Sequence, residues 1–232
     1  MKEKGMESEL ARRLFLTRLG AGVGIMGASA VSSSAAVPQA ETDMPWRPAR
    51  HPQDDWYDKV PGEHRFVFDT TTADGMALAL RFADNYFTAN RDGYGLKDSD
   101  LAVVIVARHK STPFGYNDAM WAKYGKQLSE HAEFTDPKTK AIPTVNLYAA
   151  ADDGTGQAGR LSGLIKKGVQ FAVCQMSTRG MAGSIAKATG GNADAVFKEI
   201  SANLIGNARL VPAGILAVNR AQEHGYSFVY AI

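Results

Sequence analysis

The chain has a single cysteine, Cys174, among 232 residues. An intramolecular disulfide is excluded, and so is a metal site built from several thiolates. Histidine is scarce too. His51, His64, His109, His131 and His224 are the whole set, and no two stand at the short spacing of a metal-binding motif. Neither sign of charge dominates: 26 Lys and Arg face 24 Asp and Glu, for a net charge of +2. Part of the basic excess lies at the N-terminus, which leaves the remainder close to neutral. A near-neutral domain argues against nucleic acid as a partner and against a basic membrane-docking face. There is no G-x-S-x-G nucleophile motif, no internal repeat, and no apolar run after residue 38 long enough to span a bilayer. Nothing in the chain asks for a cofactor.

The N-terminus is where sequence information is densest. Ala11-Arg12-Arg13-Leu14-Phe15-Leu16 sets two arginines before a Phe-Leu pair, and Gly20 to Ala28 is uncharged and mildly apolar. Small residues follow up to Ala36. A basic stretch, a weakly apolar stretch and a small-residue zone, in that order, read as a twin-arginine export signal over residues 1–36. Cleavage is expected after Ala30 or Ala36. Gly20, Gly22, Gly24 and Gly27 make this run a poor soluble helix and a weak membrane span. The expected location is the periplasm, with no membrane contact once the signal is removed.

About 195 residues then remain, the size of one domain, and 45% hydrophobic residues can fill its core. Residues 37–62 hold Pro38, Pro45, Pro48, Pro52 and Pro61 and read as a linker or extended arm outside the core. Trp46, Trp56 and Tyr57 could pin that arm to a surface. From 63 to 232, strands and helices alternate. Strands are expected near 65–69, 101–107, 169–174, 208–211 and 226–231, with a short extended segment at 144–148. Helices are expected near 76–87, 118–130, 157–167, 180–187, 193–204 and 215–224. Asn117 is a good N-cap, and Gly168 and Gly225 are helix stops. Leu101–Ala107 is continuously apolar, which suits a parallel strand covered on both faces. The alternation predicts an α/β domain with an open, mostly parallel sheet and helices on both sides.

Ligands of such sheets bind beyond the carboxyl ends of the strands. That rule selects Arg108, His109 and Lys110 after one strand, and Cys174 to Arg179 after another. If those strands are neighbours, His109 and Cys174 face one crevice. Cys174 lies near a helix start, where backbone N–H groups together with Arg179 would favour a thiolate. The alternatives are a buried structural cysteine and a histidine that merely caps a strand with a hydrogen bond. Gly154-Thr155-Gly156-Gln157-Ala158-Gly159 fits G-x-G-x-x-G before a helix. The strand before it is weak, however, and Cys174 to Arg179, some 20 residues on, supplies no acid for a ribose. A flexible loop leading into a helix is the simpler reading.

Across residues 64–232 the chain resembles the DsrE/DsrF-like family of sulfur-relay proteins. Val173-Cys174-Gln175-Met176-Ser177-Thr178-Arg179-Gly180 is similar to that family's strand-end cysteine with Arg-Gly a few residues later. Leu210-Val211-Pro212-Ala213-Gly214 and Gly225-Tyr226-Ser227-Phe228-Val229 resemble its last strand–helix–strand unit. Asp54-Asp55-Trp56, Phe66-Val67-Phe68-Asp69-Thr70-Thr71 and Phe114 to Tyr124 resemble a group of exported, twin-arginine-bearing DsrE-like proteins. The resemblance implies a flavodoxin-like fold, a homo-oligomer (trimer or hexamer), and Cys174 as a persulfide-carrying thiol. Two features depart from the relay proteins: the export signal, and an insertion-like region at 111–156.

Three functions are compatible with these residues. In the first, Cys174 takes sulfur from a small sulfur compound and passes it to a thiol-bearing protein, with Arg179 stabilising the anion and His109 moving the proton. In the second, a periplasmic protein binds a small ligand or assists assembly, and the cysteine is inert. In the third, His109 serves a metal- or haem-associated accessory protein.

Overall fold

A computed structural model of the protein describes residues 47–149 and 159–232. The proposed signal, its cleavage sites, Trp46 and residues 154–158 of the glycine-rich motif lie outside the described residues. Five strands form one sheet: β1 (His64–Thr70), β2 (Leu101–Ala107), β3 (Gln170–Cys174), β4 (Ala208–Val211) and β5 (Ser227–Ala231). Their order is β4-β3-β2-β1-β5, and every neighbouring pair is parallel. Helices α1 (Trp56–Lys59), α2 (Ala73–Tyr94), α3 (Asp118–Ala132), α4 (Arg160–Lys166), α5 (Gln175–Thr189), α6 (Ala193–Ser201) and α7 (Gly214–Glu223) cover it. This is the open, flavodoxin-like α/β architecture that the alternation of elements implies.

The two faces of the sheet build two cores. Phe68, Val103, Ile105, Phe171 and Val173 point to one side, where the apolar stripes of α2 to α6 cover them. Val67, Ala102, Val104, Val106 and Ala172 point to the other and meet Ala217, Val218 and Ala221 of α7. Val104 and Ile105 are both fully buried, because the central strand β2 is covered on each face.

The arm is only partly as expected. Pro52–Asp54 forms a 3-10 turn and α1 follows it. Trp56, Tyr57 and Val60 are buried in the second core beside α7, so this stretch belongs to the core. The Tyr57 hydroxyl donates to the Ala217 carbonyl at 2.8 Å, and the Tyr226 hydroxyl donates to the Tyr57 carbonyl at 2.8 Å. The reason is coverage. One ten-residue helix cannot cover five strands, and burying an aromatic side chain in the remaining space stabilises by about 1.5–3 kcal/mol.

Other boundaries shift for local reasons. Residues 144–148 form turns rather than a strand. The Asn146 amide there is committed to the Phe114 and Tyr116 carbonyls, each at 2.9 Å. Helix α5 begins directly at Gln175, several residues before the expected start, because Cys174 itself is its N-cap. The cap at Asn117 is present, its side chain accepting from the Met120 amide at 3.4 Å.

Topology places the site. The chain steps from β1 through β4 by crossovers on the α2–α6 face, then returns from β4 to β5 by α7 on the opposite face. The segments leaving β3 and β4 therefore diverge, and a crevice opens between them at the carboxyl edge of the sheet.

Candidate functional site

A cavity of about 360 Å³ occupies that crevice. The end of β2 supplies Arg108 and His109, the β3–α5 junction supplies Cys174, Met176, Ser177 and Gly180, the β4–α7 junction supplies Ala213 to Ile215, and α3 supplies His131. Because β2 and β3 are neighbours, His109 and Cys174 do share one crevice.

Cys174 ends β3 and caps α5. Its sulfur accepts the Ser177 amide at 3.4 Å. The sulfur thus partners an N–H group that the helix start would otherwise leave unpaired. Thr178 fixes the turn from the other side. Its hydroxyl donates to the Cys174 carbonyl at 2.8 Å and accepts from the Tyr116 hydroxyl at 2.9 Å. Burial raises the Tyr116 phenol well above its ordinary value, so it stays protonated and keeps donating. Cys174 is 7% exposed and lines the cavity.

Arg108 is the cation of the crevice. Its Nε and Nη2 donate to the two carboxylate oxygens of Asp69 at 2.7 and 2.8 Å, a bidentate pair across neighbouring strands. Its charge is held up chiefly by that hydrogen bond, with the Cys174 thiol a smaller contributor. The arginine stem lies against Gly214, where an added Cβ would come within 2.4 Å of the Arg108 Cβ.

Arg179 does not take the role expected of it. Its guanidinium stacks on Phe197, 3.9 Å from the ring centroid, and lies 3.9 Å from Asp194. It serves the α5–α6 contact and does not line the cavity. The spacing misleads because five residues into a helix carry a side chain around to another face.

His109 is exposed at the crevice and has a left-handed backbone, φ 57°. It opens a 3-10 turn, His109–Gly115. Its carbonyl accepts from His131 Nε2 at 3.0 Å and from the Ser177 hydroxyl at 3.2 Å. His131 and Ser177 also approach each other, at 3.4 Å. Burial is the main force lowering the His131 imidazole; the hydrogen bond to the His109 carbonyl opposes it, and the charges of His109 and Lys110 act with burial. A neutral ring that carries its proton on Nε2 fits the bond to the carbonyl. The sequence singled out no role for His131, and it reached Ser177 only as one of the residues from Cys174 to Arg179, with no partner assigned. They stand 22 and 68 residues from His109 in the chain, and no local pattern joins them.

The site therefore combines a thiol, two imidazoles and one paired guanidinium. That set suits nucleophilic chemistry, with both histidines lining the same cavity as the thiol. Among the described residues no group of three or more His, Cys, Asp or Glu could hold a metal ion, and no helix is long and apolar enough to cross a membrane. Of the glycine-rich motif, Gly159 is described; it precedes α4 with φ 80°.

Comparison with known proteins adds a neighbour of unknown function. No family model matches the chain, and no curated protein is similar to it. Among solved structures the chain is similar to a protein of unknown function, MTH1491, from Methanobacterium thermoautotrophicum. The two share 15% identity at a TM-score of 0.39, covering 72% of this chain and 99% of that one.

Proposed function

We propose that this is an exported DsrE/DsrF-like protein that carries sulfur on Cys174. The observation that carries the reading is the placement of the thiol: it ends a strand at the carboxyl edge of a parallel sheet, accepts a helix N-terminal amide, and opens on a cavity shared with His109 and Arg108. The Cys174 thiolate attacks the outer sulfur of a persulfide donor, R–S–SH. A new S–S bond forms to Cys174, the donor S–S bond breaks, and R–S⁻ leaves. An acceptor thiolate then takes the outer sulfur and releases the Cys174 thiolate, so the cycle has no net oxidation. His109 accepts and returns the thiol proton. A lone cysteine suits this role, since no second thiol is present to resolve the persulfide internally. The twin-arginine pair, Arg12 and Arg13, supports a periplasmic site for this activity. The resemblance supports a homo-oligomer, a trimer or hexamer, with a thiol-bearing partner protein or a small sulfur compound as donor or acceptor.

The test is intact mass of the protein from its native host, together with alkylation of the folded protein. A gain of about 32 Da on Cys174, one sulfur, lost on reduction, is expected. Iodoacetamide should label the same residue without denaturant. Labelling only after unfolding would sink the reading. One observation favours a second reading, the low exposure of Cys174: the crevice then binds a small ligand and the thiol only packs.

A further inference from the structure

We infer that His131 and Ser177 are positioning residues, which hold the His109 backbone so that its imidazole is presented to the Cys174 crevice. The inference rests on the reading of Cys174 as the working thiol.

Three observations converge on it. First, His109 has φ 57°, a conformation uncommon for a residue with a Cβ and one that collects at functional sites. Second, the residues on either side of His109 are tied through their amides to the last residue of β1 and the one after it. The Arg108 amide donates to the Thr70 carbonyl at 3.3 Å, and the Lys110 amide donates to the Thr71 carbonyl at 3.0 Å. The His109 carbonyl instead takes its two donors from other elements, His131 of α3 and Ser177 of α5. Both must donate, because a carbonyl only accepts. Third, Ser177 works twice: its amide donates to the Cys174 sulfur, and its hydroxyl donates to the His109 carbonyl. One residue thus ties the thiol and the histidine into a single arrangement.

The ionisable groups around His109 are few. On its own loop stand Arg108, paired with Asp69, and Lys110, paired with Glu133. His131 faces it from α3 and Cys174 from the end of β3. The α7 side contributes Ala213, Gly214 and Ile215, which do not titrate. A change in the pH dependence of Cys174 on altering His131 therefore has a short list of origins, and His109 is the one that His131 touches.

The experiment is the pH–rate profile of Cys174 alkylation by iodoacetamide in the folded full-length protein. It compares wild type with His109→Asn, His131→Leu, His131→Gln, Ser177→Ala and the double variant His109→Asn/His131→Leu. His109→Asn keeps a residue tolerant of the left-handed backbone and removes the imidazole. The expected result is that His131→Leu shifts the profile in the same direction as His109→Asn. His131→Gln, which keeps an N–H donor, should restore it, and the double variant should differ little from His109→Asn alone. If His131→Leu does not fold, Ser177→Ala combined with His109→Asn gives the same cycle. A wild-type profile for His131→Leu, or effects that simply add in the double variant, would overturn the inference. Failure of Cys174 to react in any folded variant would instead remove the sulfur-carrier reading beneath it.

Discussion

The Asp69 carboxylate at the end of β1 accepts two hydrogen bonds from the Arg108 guanidinium just past the end of β2, at 2.7 and 2.8 Å. Asp69 is 2% exposed, and both of its carboxylate oxygens are taken by that one partner. Arg108→Ala leaves a buried carboxylate unpaired and should cost about 3–5 kcal/mol. Gly214→Ala acts on the same pair from the other side, since its Cβ would meet the arginine stem at 2.4 Å. Overpacking of this kind costs about 1–3 kcal/mol. Urea unfolding should rank wild type above Gly214→Ala and Gly214→Ala above Arg108→Ala.

His109 is held in a conformation that costs a residue with a Cβ roughly 1–2 kcal/mol. His109→Gly removes that cost, while adding about 0.5–1 kcal/mol of unfolded-chain entropy. A small net gain is expected, a Tm higher by about 2–4 °C for a domain of this size. Cys174 alkylation should lose its His109-dependent pH profile in the same variant. A lower Tm would show that the imidazole makes stabilising contacts.

His131 carries a pH signature in stability. Its imidazole is lowered from the ordinary value of 6.5, first by burial. The unfolded chain therefore binds a proton at a pH where the folded protein does not, and unfolding becomes easier as pH falls below about 6.5. The contribution is complete above that value and is lost as pH drops through the lowered one. In urea titrations at pH 7.5 and about pH 5, His131→Gln should lose less stability on acidification than wild type does. Equal losses would mean that His131 is not the group responsible.

Asp58 of α1 is lowered from its ordinary 3.8, chiefly by the hydrogen bond to His224, which stands 2.9 Å away. Ionised Asp58 thus favours the docked arm above its unfolded value, and that support fades as pH falls through the lowered one. Asp58→Asn should loosen residues 52–60 at neutral pH, seen as faster amide exchange there, and should remove the extra loosening of wild type in acid. Unchanged exchange would leave Trp56 and Tyr57 as sufficient anchors.

Arg12 and Arg13 changed together to lysine should block export if the N-terminus is a twin-arginine signal. Fractionation of cells, with processing read by size, checks it. A periplasmic, processed double variant would remove the twin-arginine assignment.

Local patterns sufficed wherever one short stretch of chain settles its own burial. Leu101–Ala107 has no polar residue and can only be a strand covered on both faces. Asn117 is a capping residue by side-chain chemistry alone, and it caps. The carboxyl-edge rule also located Cys174 and His109, because it needs only where strands end. The same reasoning failed for the arm. Pro-rich polar sequence argues for an arm outside the core, at most pinned to its surface by Trp56 and Tyr57; these side chains instead fill space that α7 leaves open, and only the assembled sheet shows that gap.

By itself, then, the sequence determined the alternating α/β plan, the single thiol at a strand end and a net charge of only +2. Each of these follows from residue type and short-range spacing. Tertiary structure decided which groups meet that thiol. It turned Arg179 away to Phe197 and Asp194, brought His131 and Ser177 to one carbonyl from 22 and 68 residues away, and paired Arg108 with Asp69 from 39 residues away. The physical reason is the reversal between β4 and β5, which opens the crevice and sets which ends of distant elements converge on it.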